Sequence, residues 1–382
     1  MKFNVHNTTM TICIFGNLLA CTTTDKDAVS NARAQWTEAE AVDWYEQQKP
    51  LIGFNYAPRT AVNQLEMWQD ETWDPDTIDE ELGWAEEIGF NTARVFLHDL
   101  MWTHHGDDFI DRVDEFLTIA DSHNIRVMLV FFDGVWNPYP VYGTQPEPTP
   151  GVHNSQWVQS PGIDILQDVS RHGELEPYVR GVISAFREDE RVVVWDLFNE
   201  PDNPNLLAYP QSELELSIKR DRALALLQSA TQWALDENPV QPLTAGVWDG
   251  DWSDPDGITD LDAFMLQNMD INSFHSYSDA TVVAGQITDL QAYGRPLLCT
   301  EYMARPMDST FENILPLFAR EHVGGYNWGF VNGKMQTIHS WTSWVFPDEG
   351  EPELWFHDVL QSDGTPYDPA DIEAIQTFLR EY

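Results

Sequence analysis

The chain has 382 residues and carries 63 Asp and Glu against 20 Lys and Arg, a formal net charge of −43. Such a surface offers no basic footprint for a phosphate backbone, which excludes nucleic acid as a partner. With 42% hydrophobic residues, 16 Trp, 12 Tyr and 19 Phe, the chain has apolar surface for a large core; this excludes intrinsic disorder, and the length suits one large domain or two small ones.

The first twenty residues hold one lysine, no acidic group and an apolar stretch from Met10 to Ala20 that is too short to span a bilayer. That pattern predicts a signal peptide over residues 1–20 and an exported protein. Leu18-Leu19-Ala20-Cys21 resembles the bacterial lipobox, so Cys21 is expected to take a lipid and tether the protein to a membrane, with ordinary secretion as the alternative. Membrane contact is expected only through that lipid. Cys13 would leave with the signal, which strands Cys299 alone in an apolar run and rules out a disulfide framework. Residues 21–40 are polar and without clear periodicity, as expected of a tether ahead of a folded body over 41–382.

From there, short runs rich in β-branched and aromatic residues alternate with stretches of helical spacing. The strand candidates are Leu51–Tyr56, Thr92–Leu97, Val127–Phe132, Val192–Phe198, Pro242–Gly246, Ile271–Tyr277, Pro296–Thr300 and Gly325–Phe330. Several are apolar nearly throughout, as strands buried on both faces should be. Amphipathic segments at Asp76–Ile88, Phe109–His123, Glu174–Arg187, Glu213–Asp236 and Phe311–His322 lie between them. Eight such units predict a single-domain (β/α)8 barrel, with a doubly wound sheet as the structural alternative.

In a barrel, chemistry is assembled at the carboxyl ends of the strands. Strand four ends in Asn199-Glu200-Pro201, and strand seven runs into Glu301-Tyr302. Two carboxylates facing each other across a barrel mouth suit acetal cleavage, where one carboxylic acid protonates the departing oxygen and one carboxylate meets the developing oxocarbenium ion. Retention of configuration needs the two carboxyl groups about 5–5.5 Å apart, with Glu301 as nucleophile and Glu200 as acid/base. Arg94 on strand two is positioned to keep Glu301 ionised, while desolvation keeps Glu200 protonated. Asp196, four residues behind Glu200, is expected to be buried, with Arg94 as its candidate partner.

The run Trp195-Asp196-Leu197-Phe198-Asn199-Glu200-Pro201 resembles the N-E-P signature of clan A glycoside hydrolases, notably family 5, and the resemblance extends over residues 50–382. Its other carriers are Arg94, His275-Ser276-Tyr277 on strand six, Glu301 and Trp328. It implies that Asn199 bonds the sugar hydroxyl beside the anomeric carbon, that Tyr277 holds the nucleophile with His275 orienting the same network, and that Trp328 floors the cleavage subsite. The tail around Trp341–Trp344 and Leu354–Asp358 is similar to bacterial sequences described as cellulase-like or xylanase-like. One departure stands out: strand three commonly ends in His in that family, whereas here Phe131-Phe132 leads to Asp133. An acceptor there points to a distinct subfamily. The implied substrate is a plant or algal β-glucan, β-mannan or xylan, as polysaccharide or oligosaccharide, with no cofactor and no catalytic metal.

Trp102, Trp136, Trp157, Trp248, Trp252, Trp341 and Trp344 fall in rim loops, with Trp136, Trp248 and Trp328 the best placed to stack on sugar rings. Whether the cleft is an open groove or a pocket turns on the Tyr139–Gln159 insertion and the Trp341–Glu353 loop. Two other readings compete: a surface glycan-binding lipoprotein that has lost catalysis, and a metal-dependent barrel hydrolase working through the His98–Asp108 stretch. The absence of a Gly-rich phosphate loop after strand one and of a Gly-x-Ser-x-Gly elbow argues against nucleotide binding and serine hydrolysis. With five lysines in the whole chain, carboxylate repulsion costs stability at low ionic strength. The melting temperature is therefore expected to rise as sodium chloride is added; a fall measured by calorimetry would refute this.

Overall fold

The computed structural model describes residues 32–48, 50–210, 216–254 and 257–381. The expected signal peptide with Cys13 and the lipidation site Cys21 lie outside the described residues.

Eight strands form one parallel sheet: β1 Ile52–Tyr56, β2 Thr92–Phe96, β3 Arg126–Asp133, β4 Val192–Asn199, β5 Leu243–Thr244, β6 Asn272–His275, β7 Leu297–Tyr302 and β8 Gly324–Asn327. Their order is β5-β4-β3-β2-β1-β8-β7-β6. A parallel bridge between Val247 and Phe274 joins the two ends and closes the barrel. β1 pairs with both β2 and β8, an arrangement that a doubly wound sheet does not have. The strands are buried almost throughout, because helices cover the outside and side chains fill the inside.

Helix ends follow local chemistry. Pro75–Ile88 begins at Asp74, whose side chain accepts from Thr77 N, carries Pro75 in its first turn and stops at Gly89 with φ 112°. Phe311–Glu321 stops at His322 in the left-handed conformation. The segment expected as one helix over Glu174–Arg187 is a 3-10 turn, Val169–Leu175, followed by the helix Glu176–Phe186 with Pro177 in its first turn. A proline is tolerated there because the first amide groups of a helix have no intrahelical acceptor. Helices Asp260–Asn268, Ala280–Gln291 and Pro369–Glu381 complete the outer layer.

The bottom of the barrel has its own plug. Ala41 and Tyr45 of the helix Glu38–Gln48 pack with Leu51, just ahead of β1, and with Met128, Val194, Leu298 and Tyr326 of the strands. Part of the stretch expected as a tether is thereby incorporated into the folded body. Arg33 bonds the carbonyls of Pro239 and Gln241 at 2.9 and 3.1 Å and pairs with Asp270 at 2.6 Å. Asp270 also accepts from the backbone N of Trp36 and Leu243, at 2.7 and 2.8 Å. Arg33→Ala would leave this buried carboxylate without its cation, and is expected to lower unfolding free energy by about 3 kcal/mol in urea titrations; a change within error would contradict that.

Candidate active site

The centre of the mouth is organised by Arg94, whose side chain is 1% exposed. Asn55 on β1 lies opposite Arg94 on β2. The guanidinium donates from Nε to Asp196 Oδ2 (3.0 Å), from Nη1 to Asn55 Oδ1 (2.8 Å) and Glu301 Oε1 (3.0 Å), and from Nη2 to Asn199 Oδ1 (2.7 Å). The expected Arg94–Asp196 pair is thus present, alongside the expected contact with Glu301.

Glu301 stands near the end of β7, opposite His275 of β6. Its Oε2 accepts from Tyr277 Oη at 2.7 Å. Burial pushes its carboxyl above the ordinary range; His275, Arg94 and the Tyr277 hydroxyl oppose that push, and Glu200 adds to it. Glu200 follows β4 in the left-handed region, at φ 41°. This conformation costs a non-glycine residue energy and persists where surrounding contacts enforce it. The enforcing contact comes from the loop after β3. Gly134 N donates to Asn199 O at 2.9 Å, and a Cβ on Gly134 would lie 2.1 Å from Glu200 O. Glu200 Oε2 accepts from Asn203 Nδ2 (2.6 Å), and Oε1 meets His275 Nδ1 (2.9 Å). Burial raises Glu200 to about 7 and lowers His275 to about 4, which leaves the imidazole neutral at pH 7.

Two like carboxylates sharing a buried site cannot both ionise freely. Glu301 touches a guanidinium; Glu200 touches an amide and a neutral imidazole. The shared proton therefore resides on Glu200. Oxygens of Glu200 and Glu301 and a nitrogen of His275 all lie within 4.8 Å of one another.

Asp133 ends β3 in register with Asn199. Its Oδ1 accepts from Asn199 Nδ2 (3.0 Å) and Val135 N (3.0 Å), and its Oδ2 from Trp157 Nε1 (2.6 Å) and Gln64 Nε2 (3.1 Å). Burial raises it to about 7. Arg94 on one side and Asp133 on the other fix which way the Asn199 amide faces.

Above these groups lies a cleft of about 290 Å³ lined by Trp136, Trp157, Trp248, Trp328 and Trp341 together with Asn199, Glu200, Tyr277 and Glu301. Trp328 follows β8 directly and meets Trp157 and Phe96 edge-on, both at 5.8 Å. Trp248 donates from Nε1 to Asp202 Oδ1 at 2.8 Å. The other rim tryptophans are used differently. Trp102 packs over Gly181 on the outside of the barrel, Trp252 is buried against Phe274, and Trp344 lies beside Trp136 with ring centroids 6.0 Å apart.

The His98–Asp108 stretch is used for architecture. His98 caps the helix Asp99–His105 and bonds Gln159 O; Asp99 accepts from Ser160 Oγ; His104 stacks on Tyr142, and His105 bonds its hydroxyl. Among the described residues, the cluster of possible metal ligands is Glu200, His275 and Glu301 instead. Cys299 is buried and its thiol is pushed well up by desolvation, so it offers no thiolate. Sequence reasoning missed Asn55, Gln64 and Asn203. Asn55 had a signal, as a polar residue inside an apolar strand; the other two had none.

No protein-family model and no curated protein matches the chain. Solved structures do. A GH5_18 variant from Streptomyces cattleya in complex with Manβ1-4GlcNAc superposes with TM-score 0.56 at 13% identity, covering 87% of this chain and 81% of that one. The exo-β-1,4-mannosidase Op5Man5 from Opitutaceae bacterium strain TAV5 gives 0.60 at 16%, covering 87% of this chain and 60% of that one. The hyperthermostable endo-1,4-β-D-mannanase from Thermotoga petrophila RKU-1 gives 0.54 at 13%, covering 87% and 99%. The family 5 resemblance read from the sequence is thus matched in the fold: this chain is a (β/α)8 barrel built like those of GH5_18 and the β-mannanases.

Proposed function

We propose that the chain is a glycoside hydrolase that cleaves β-linked glycans with net retention, Glu200 acting as acid/base and Glu301 as nucleophile. The observation that carries this reading is a pair of buried carboxylates that approach with one oxygen of each within 4.8 Å and that flank His275 Nδ1, Glu200 Oε1 at 2.9 Å and Glu301 Oε2 at 3.6 Å, a close approach that favours the shorter of two carboxyl spacings. Retaining enzymes hold their carboxyl groups about 5–5.5 Å apart, whereas inverting ones leave about 6.5–9.5 Å for a water.

In the first step a Glu301 oxygen bonds to the anomeric carbon while the bond to the leaving oxygen breaks; that oxygen keeps the electron pair and takes the proton of Glu200. In the second step Glu200, now a carboxylate, removes a proton from water as the water attacks the same carbon and Glu301 departs. Arg94 and Tyr277 hold Glu301 as an anion aimed at the carbon. The Asn199 amide has one hydrogen beyond the one given to Asp133, and this hydrogen suits the sugar hydroxyl beside the anomeric carbon. Trp328 supplies the flat apolar floor. β-Mannosides head the substrate class because the similar structures carry mannoside or mannanase names, with β-glucan and xylan behind them. The glycan-capture alternative is disfavoured by the unlike partners of the two glutamates, a guanidinium and a phenol on Glu301 and an amide and an imidazole on Glu200, which binding alone does not require.

Glu301→Gln should abolish release of reducing sugar, by at least about a thousand-fold, while leaving the melting temperature nearly unchanged. Glu200→Ala should cost about 10²–10⁴-fold on natural glycans and far less on aryl β-glycosides, whose leaving groups need little protonation. Equal losses on both substrate types would contradict the assignment. The pH dependence has a definite sign. Glu200 works as an acid only while protonated, so kcat/KM should fall as pH rises through about 7. With an aryl glycoside, Glu200→Gln should remove that descending limb; persistence of the limb would place the titrating group elsewhere.

A further inference from the structure

We infer that this site removes single sugars from the non-reducing ends of chains, because two loops are stapled together across the glycone end of the cleft. The inference rests on the hydrolase reading above. The leaving group must lie on the Glu200 side, since Glu200 delivers its proton. A second, polar cavity of about 210 Å³ opens there, lined by Glu200, Trp248, Asp249, Ser276 and Ser278 but not by Glu301. The larger cleft is lined by Glu200 as well as Glu301, and the glycone then occupies its end beside Glu301, Trp328 and Trp341, where His153 and Asn154 also line the wall.

His153 and Asn154 belong to the insertion between β3 and β4, and Trp341 to the segment after β8. β1 and β2 stand between these two strands in the barrel, yet the two segments meet over them. Asn154 N donates to Met335 O at 2.7 Å, and Asp348 N to Gly151 O at 3.0 Å. His153 N donates to Ser343 Oγ at 2.9 Å, and its Nδ1 meets His339 O at 2.9 Å. Gln336 accepts from Gly151 N (3.1 Å) and donates to Thr149 O (2.8 Å). The seam is tight enough that a Cβ on Gly151, at φ 72°, would fall 2.1 Å from Asp348 O. The loop after β1 fastens the same wall. Asn63 donates to Gln145 Oε1 and Gln156 O, both at 2.8 Å, and Lys334 pairs with Glu66 at 2.7 Å. A chain that ran on past the glycone would have to cross this seam. His153, Asn154 and Trp341, which belong to the two joined segments, form that end of the cleft.

The test uses the full chain with β-1,4-mannohexaose, free or bearing a 4,6-O-benzylidene group on its non-reducing end. Mannose and mannopentaose are expected as the first products of the free hexasaccharide, with the capped one cut at least about a hundred-fold more slowly. Mannobiose or mannotriose among the first products, or equal rates on both substrates, would overturn the inference while leaving the hydrolase standing. Inertness toward the free hexasaccharide and toward aryl β-mannoside, β-glucoside and β-xyloside alike would overturn the hydrolase reading, and this inference with it. Two variants locate the determinant: Gln336→Ala, and replacement of residues 144–152 by a Gly-Ser linker. If the stapled loops set the product size, the linker variant gains internal cleavage and Gln336→Ala shifts the same way to a smaller extent. An unchanged product profile in a folded linker variant would overturn the assignment to the staple.

Discussion

A fully desolvated cation sits at the centre of this barrel, and the mouth is arranged around its needs. Burying a guanidinium without partners would cost several kcal/mol. Arg94 meets the requirement with two carboxylates and two amide oxygens drawn from β1, β4 and β7. The arginine reaches the two glutamates unequally: Glu301 accepts a hydrogen bond from it, whereas Glu200 meets Asn203 and His275 and is raised by burial against the pull of Arg94. The asymmetry of the pair thus rests on which glutamate the guanidinium touches.

The same arginine fixes an amide. An asparagine side chain can turn over at little cost unless its oxygen and nitrogen face unlike partners. Arg94 donates to one end of Asn199, and Asp133 accepts at the other. Asp133 is itself held by Trp157, Gln64 and the Val135 amide, so the loops after β1 and β3 cooperate in orienting a residue on β4. The Asp133 that stands out at the end of strand three therefore has a structural role: it orients the Asn199 amide from beneath.

Much of this was legible in the sequence for a physical reason. Strands covered on both faces must be apolar, so a polar residue at the end of such a strand is conspicuous, and Asn199, Glu200, His275 and Glu301 announce themselves in that way. Their partners are less visible. Gln64 and Asn203 sit in loops where polar residues are ordinary, and their roles depend on contacts no local pattern encodes. The tryptophans show the same limit. Loop position alone does not separate Trp252, buried against Phe274, or Trp102, packed on the outer helices, from Trp248 and Trp341 on the cleft wall. The polar stretch from Arg33 to Glu40 reads as a linker because its anchor, Asp270, lies far along the chain.

The seam between the two long loops also bears on how binding is spent. Loops that close over a ligand lose their freedom at the moment of binding, and that ordering cost is subtracted from affinity. Here Gly151 and Asp348 already interlock, with Gln336 threaded between the loops, so the ordering is completed during folding. Under the proposed function, a sugar entering there would meet a recess already shaped, and its contact energy would be left for distorting the ring toward the oxocarbenium geometry.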